Sequence, residues 1–225
     1  MKITYLGHAA LSIEVAGKRL IVDPFISPNP LAKDIDVDAL EADYILITHA
    51  HQDHIVDVDA IAKRTGARII SNYEIVTHYG NLGMEGHPMN HGGSWQFDFG
   101  RVTYTNAIHT SSFPDGSYGG QPGGFLLETD EANIYIAGDT ALTFDMKLIP
   151  MQCKLDFAVL PIGDNFTMGY ESAVIGAEFL ECDRIMGYHY DTFGYIEIDH
   201  DKAKNAFSAA GKELILLSIG DFVEV

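Results

Sequence analysis

The segment ILITHAHQDHIVD, residues 45–57, joins an apolar run to three histidines and an aspartate within positions 49 to 54. The run reads as a buried strand. Side chains as polar as those that follow it are costly to bury unpaired. They must collect at the strand's C-terminal end, where open α/β sheets usually carry their sites.

The rest of the chain repeats this arrangement. KITYLGH, ALSIEVAG and KRLIVDPF read as a meander turning at Ala16–Lys18. SPNPLAKDIDVDALEA predicts a loop and a short helix, DYILITHA a strand, VDVDAIAKRTG a helix stopped by Gly66, ARIISN a strand and NYEIVTHYGNLG a short helix. HPMNHGGSWQFDFG reads as a turn-rich connection into RVTYTNAIHTSS. GGFLLETD and ANIYIAGDT pair around a turn, and DFAVLPIGD and RIMGYHY are strands flanking the helix GYESAVIGAEFLEC. DHDKAKNAFSAAG is a last helix, and ELILLSIGDFVEV closes with strand character. No repeat or linker interrupts this order, so one α/β domain over residues 1–225, with two sheet-and-helix halves, is expected. His49, Asp139, Gly163–Asp164 and His189 all fall at or just beyond the ends of apolar runs.

Charge narrows the partners. The formal net charge is −18, from 32 acidic against 14 basic residues, with no Lys/Arg cluster. Such a surface repels phosphate backbones, which disfavours a nucleic-acid partner. No window approaches a membrane helix and the start lacks a signal-peptide run, so a soluble cytoplasmic protein acting on a small molecule is expected. The two cysteines, Cys153 and Cys182, show no pairing pattern and read as reduced thiols. Oligomeric state is open, with a homo-oligomer allowed.

In an extended segment alternate side chains share a face, so His49, His51 and Asp53 can point together while His54 starts a new turn. Imidazoles and a carboxylate so crowded can serve one or two metal ions. A histidine-rich surface loop is the alternative.

His49-Ala50-His51-Gln52-Asp53-His54 resembles the His-x-His-x-Asp-His signature of the metallo-β-lactamase superfamily. YLGHAALSIE, IVDPF, MNHGGSWQFDFGRVTYTNAIHTSS, YIAGDTAL and PIGDNFTMG extend the likeness along most of the chain, toward a branch of metal-dependent hydrolases similar to the ascorbate-6-phosphate lactonase group. The resemblance implies a four-layer αββα sandwich of two mixed sheets flanked by helices. It also implies that His49, His51 and His109 bind one metal and that Asp53, His54 and His189 bind a second, with Asp139 bridging them.

Taken alone, several of these residues have plainer readings. His109 could be a core or surface histidine, Asp139 a turn or N-cap aspartate, and His189 a member of an aromatic cluster. Asp23 could accept a hydrogen bond from a ligating imidazole or simply turn the chain before Pro24. His8 could line the pocket as a catalytic group or be an inert strand-end histidine, and Asn165 is a further pocket candidate. Pocket walls are expected from residues 26–36 and from the Gly/Pro-rich segment 113–123, a candidate flap.

Two divalent ions in such a site generate a hydroxide near neutral pH that attacks a carbonyl or phosphoryl centre, with Asp53 orienting it. Zinc leads among the metals, and manganese, nickel or iron suit the same ligands. The expected activity is hydrolysis of a small ester, lactone or phosphodiester. A nuclease of the same superfamily and a noncatalytic metal-stabilised binding module are the rivals. A di-iron flavin enzyme would resemble the superfamily with glutamate in place of His51. Ser111 and Ser112 lack an evident activating base.

Overall fold

In the computed structural model, which describes residues 1–225, the chain opens with the expected meander. Strands β1 (Lys2–Gly7), β2 (Ala10–Val15) and β3 (Lys18–Val22) pair antiparallel, the second turn passing through Ala16 and Gly17 at positive φ. β4 (Tyr44–Leu46), β5 (Arg68–Asn72) and β6 (Gly86–Met89) then add in parallel. Between them lie α1 (Gln52–Ile55), α2 (Val58–Thr65) and α3 (Tyr73–Asn81), with the Asn72 side chain capping α3 by accepting from Ile75 N–H.

The second sheet begins with β7 (Ser94–Phe97), β8 (Gly100–Asn106), β9 (Gly123–Glu128) and β10 (Asn133–Ile136), all antiparallel. It continues in parallel through β11 (Phe157–Pro161), β12 (Arg184–Tyr188) and β13 (Glu213–Ile215), with α4 (Tyr170–Phe179) and α5 (His200–Ala209) as crossovers. β14 (Phe222–Glu224) crosses back to pair with β1. The result is two mixed seven-stranded sheets, ordered 14-1-2-3-4-5-6 and 13-12-11-10-9-8-7.

Side-chain alternation sorts these strands into layers. Leu20 and Val22 of β3 and Leu46 of β4 face the second sheet, whereas Ile21 and Ile45 face the other way, into the layer holding Ile61 of α2 and Ile75 of α3. In the second sheet Phe125, Leu127, Ile134, Ile136, Phe157 and Val159 face inward, while Leu126, Tyr135, Ala158 and Leu160 share a layer with Ala173 of α4 and Phe207 of α5. Each sheet is therefore apolar on both faces, which explains the unbroken hydrophobic runs. The architecture is the four-layer αββα sandwich that the resemblance implied. No helix is long and apolar enough to cross a membrane, and both cysteines are free thiols.

Three local expectations need correction. The connection around residues 87–97 contains β6 and β7, each the last strand of its sheet. An edge strand tolerates Pro88, whose missing N–H masks the strand signal in a central-strand reading. The short helix predicted after residue 30 is a single 3-10 turn, Val37–Ala39, started by the Asp36 side chain accepting from Asp38 N–H. The C-terminal run is divided between the two sheets. A turn at Gly220, φ +92°, locks onto β1 through Gly220 N–H to Tyr5 C=O and Tyr5 N–H to Asp221 C=O.

Phe125 is fully buried in the layer between the sheets. Phe125→Ala is expected to lower unfolding stability by about 3–5 kcal/mol, read from urea denaturation. A loss under about 1 kcal/mol would contradict this packing.

Candidate metal centre

Strand direction gathers the polar residues at one rim. β1, β3 and β4 run the same way in the first sheet, and β8, β10, β11 and β12 share a direction in the second. Directly after their C-terminal ends come His8, Asp23, the segment Thr48–His54, His109, Asp139, Gly163 and His189. Backbone bonds tie the two rims together. His189 N–H donates to His8 C=O at 2.8 Å, and Gly123 N–H and the Tyr104 hydroxyl both donate to Thr48 C=O, at 3.0 and 2.8 Å. Gly138, φ +68°, is needed here because a Cβ would stand 2.4 Å from Gly123 C=O.

All eight nominated side chains meet. His49, His51 and His109 form one group of donors, and His8, Asp53, His54 and His189 another, the donor atoms of each lying within 4.8 Å of one another. Asp139 stands between the groups. Its Oδ2 lies 4.0 Å from His49 Nε2 and 3.6 Å from His109 Nε2 on one side, and 3.4 Å from His54 Nε2 and 2.9 Å from His189 Nε2 on the other. Asp53 reaches the second group differently from the expected alternation: the chain is extended only to His51, and Asp53 occupies the first turn of α1.

Asp23 aims the rings. It is fully buried, accepts from Thr48 N–H and Oγ1–H at 2.8 and 2.6 Å, and accepts from His54 Nδ1 at 2.8 Å. Because the Thr48 proton goes to Asp23, its oxygen is left to accept from His49 Nδ1 at 3.0 Å. This network fixes the Nδ1 side of both rings and turns the Nε2 atoms of His49 and His54 inward.

Burial and neighbouring charge set the protonation states. Burial pushes the His49, His51 and His109 imidazoles down, aided by nearby imidazoles. Burial also lowers His8 to about 4, with His189 adding to the effect. For Asp139 burial alone would raise the carboxyl, but His189 and His54 outweigh it and hold it well below its usual range. Asp53 is likewise held low against burial, by the His8 hydrogen bond and by His54. His54 is the exception. Burial disfavours its charge, yet Asp139 and Asp23 on either side raise it. The two carboxylates thus favour positive charge at that spot.

The donor set fits a metal. His54 Nε2, His189 Nε2 and Asp139 Oδ1 are buried without a hydrogen-bond partner, a costly arrangement for polar atoms unless a cation satisfies them. His49 Nε2 and His51 Nδ1 stand 3.0 Å apart, close to the spacing of about 3.3 Å for two nitrogens on one tetrahedral ion.

His8 sits elsewhere than expected. It is 1% exposed and lies behind Asp53, with Nε2 3.1 Å from Asp53 Oδ2 and Nδ1 3.0 Å from Thr192 Oγ1. It does not line the cavity of about 890 Å³ that opens onto His51, Asp53, His109, Asp139 and His189. The cavity walls are Phe113, Pro114 and Gly116 from the expected Gly/Pro-rich segment, but also Phe166 and Phe193–Tyr195, which the sequence did not nominate. Residues 26–36 do not contribute, and Asn165 is an exposed turn residue with φ +55° beside Phe166.

The segment 113–123 is anchored at its base. Asn72 Nδ2 donates to Gly119 and Gln121 carbonyls, and Ser111 Oγ donates to Gly119 C=O while accepting from Ala50 N–H. Ser111 is thus a buried structural hydroxyl. Asp57 is another buried group that the sequence reading passed over. Its carboxylate accepts from Ile26 and Ser27 N–H and from the Ser27 hydroxyl, fixing the turn after Asp23.

Comparison with known proteins agrees with this geometry. A model of the beta-lactamase superfamily domain matches residues 2–189. A UPF0173 metal-dependent hydrolase of Christiangramia forsetii is 65% identical over 226 residues, covering all of both chains. Another, of Flavobacterium johnsoniae, is 63% identical over 225 residues, again end to end. Among solved structures, the metallo hydrolase Igni18 of the archaeon Ignicoccus hospitalis superposes with a TM-score of 0.89 at 34% identity, covering 99% of this chain and 97% of that one. The chain belongs to the metallo-β-lactamase superfamily and, within it, to the UPF0173 metal-dependent hydrolases.

Asp23→Ala should free the His54 ring and the Thr48–His49 link without touching a donor atom that faces the cavity. Metal affinity is expected to fall about 10–100-fold, measured against a competing chelator with far-UV dichroism as the folding control. Unchanged affinity would remove Asp23 from this role.

Proposed function

We propose that this metal-dependent hydrolase holds two divalent ions, zinc foremost, and cleaves a small ester, lactone or related substrate. The observation that carries the reading is Asp139: one buried carboxylate within 4.0 Å of four imidazole nitrogens drawn from both donor groups. In this reading His49, His51 and His109 hold one ion, Asp53, His54 and His189 the other, and Asp139 serves both.

Divalent cations in these places supply Lewis acidity and lower the pKa of water. The chain's own residues do the rest. Asp53 faces the cavity with its side chain 28% exposed and commits Oδ2 to His8. Its other oxygen is left to orient an attacking water and to take up the proton. Neutral His8, with Nδ1 accepting from Thr192, holds that carboxylate in one orientation, which makes His8 a positioning residue rather than a pocket-lining catalytic group. The exposed carboxylate edge beside an open cavity favours catalysis over a purely structural metal site. Net charge −18 supports a small substrate over a polynucleotide.

Elemental analysis of protein purified without chelator should give about two divalent ions per chain, removable by chelator with loss of turnover. A single ion that supports full activity would overturn the dinuclear reading.

Asp53→Ala and His8→Ala should fail differently. Asp53→Ala is expected to lose metal from one site and nearly all turnover. His8→Ala is expected to keep both ions and lose about 10–100-fold in kcat with little change in KM. Loss of an ion in His8→Ala would instead make His8 a donor, and full activity would make it inert.

A further inference from the structure

The cavity walls show which substrates this site can admit. Phe113, Pro114, Phe166, Phe193 and Tyr195 line it, together with the neutral polar side chains of Gln52, Thr110 and Ser112. Although the chain has 14 Lys and Arg residues, none lines the cavity. The only carboxylates there are Asp53 and Asp139, at the floor. The aromatic wall is organised. Phe193 packs edge-on to His8 with centroids 5.2 Å apart and lies 6.1 Å from Phe25, which fixes its ring behind the site. Phe166 and Tyr195 meet edge-to-face at 6.3 Å, yet remain 50% and 78% exposed, so much of their ring surface is uncovered. On the opposite side Phe113 stacks on His78 at 4.0 Å.

The geometry points to a neutral substrate carrying an aromatic or bulky apolar group next to the scissile bond, and against one carrying a second anionic group such as a phosphate. The inference rests on the hydrolase reading above and narrows it. The scissile group occupies the floor, between the histidines and Asp53. The remainder of the substrate must then lie along the wall. A phosphate or carboxylate placed there would lose water and meet no lysine or arginine, a costly exchange for an ion. An aromatic group would instead cover Phe166, Phe193 and Tyr195 in offset or edge-to-face contact. A sugar-phosphate lactone lacks a partner for its phosphate here. A neutral aryl or alkyl ester or lactone needs none.

The test pairs hydrolysis with binding, using metal-loaded protein of full length. 2-Naphthyl acetate is compared with the same ester carrying a phosphate on the distal ring. The non-hydrolysable methyl ethers of the same two naphthols are titrated by calorimetry. The neutral ester should be preferred about 100-fold or more in kcat/KM, and the neutral ether should bind more tightly than its phosphate. Phe166→Ala and Tyr195→Ala should each raise KM for naphthyl acetate several-fold to about 10-fold, a larger change than either makes in KM for ethyl acetate. These variants alter exposed side chains, and dichroism checks their fold. Equal or better turnover or binding of the phosphorylated compounds overturns the inference while leaving the hydrolase reading intact. Selective binding of the neutral ether, weakened in the two variants, with no hydrolysis of either ester by metal-loaded protein, overturns the ester-hydrolase reading and upholds the neutral aromatic pocket.

Discussion

Asp139 is an ionised carboxylate, 2% exposed, at the meeting point of two sheets. Removing such a charge from water costs several kcal/mol unless opposite charge or donors replace the solvent. The fold meets that demand with four imidazoles from three places in the chain: His49 and His54 after β4, His109 after β8 and His189 after β12. The Nε2 atoms of His54 and His189 and Oδ1 of Asp139 are buried there without a hydrogen-bond partner, an arrangement that a bound cation would satisfy. The rest of the rim serves to bring those rings to that carboxylate.

The backbone departs from ordinary conformations at the same places. His8, Asp23 and His189 all have positive φ, at 55°, 43° and 56°. Left-handed backbone at a non-glycine residue costs about 1–3 kcal/mol and persists only where the surroundings hold it. Here each residue lies immediately beyond a strand and must turn its side chain into the gap between the sheets. The bond from His189 N–H to His8 C=O, and the Asp23 hydrogen bonds to Thr48 and His54, supply that hold. Strain and tautomer control thus belong to one network.

Around this floor the walls come from loops and from the 3-10 turn Gly194–Ile196. The glycine-rich stretch after Ser112 is pinned at its base by Asn72 and Ser111, and the opposite wall by packing of Phe193 on His8 and Phe25. Specificity therefore rests on a few ring positions, whereas the chemistry rests on strand ends. In the proposed reading, changing Phe166 or Tyr195 would alter what enters without touching the candidate metal donors.

Much of this was legible in the sequence. Continuous apolar runs ending in His49, Asp139 and His189 marked buried strands with polar ends, because a strand covered on both faces has no alternating polar side. Spacing within His49–His54 and the wider resemblance named the seven candidate donors. Local propensity placed α2 to α5 near their observed spans but not the single turn α1, whose residues read as extended. Edge strands were less visible: β6 and β7 contain proline, glycine and polar residues that an edge tolerates and a central strand does not. The division of the C-terminal run between sheets follows from hydrogen bonds to β1, which no local pattern records. The tertiary structure alone decided that His8 stands behind Asp53, that Asp23 aims two rings at once, and that Phe193 and Tyr195 form a wall. Those facts depend on side chains far apart in the chain, positioned by the closure of one sheet on the other. Local sequence specifies which strand ends carry chemistry, but only that closure specifies which of their atoms meet.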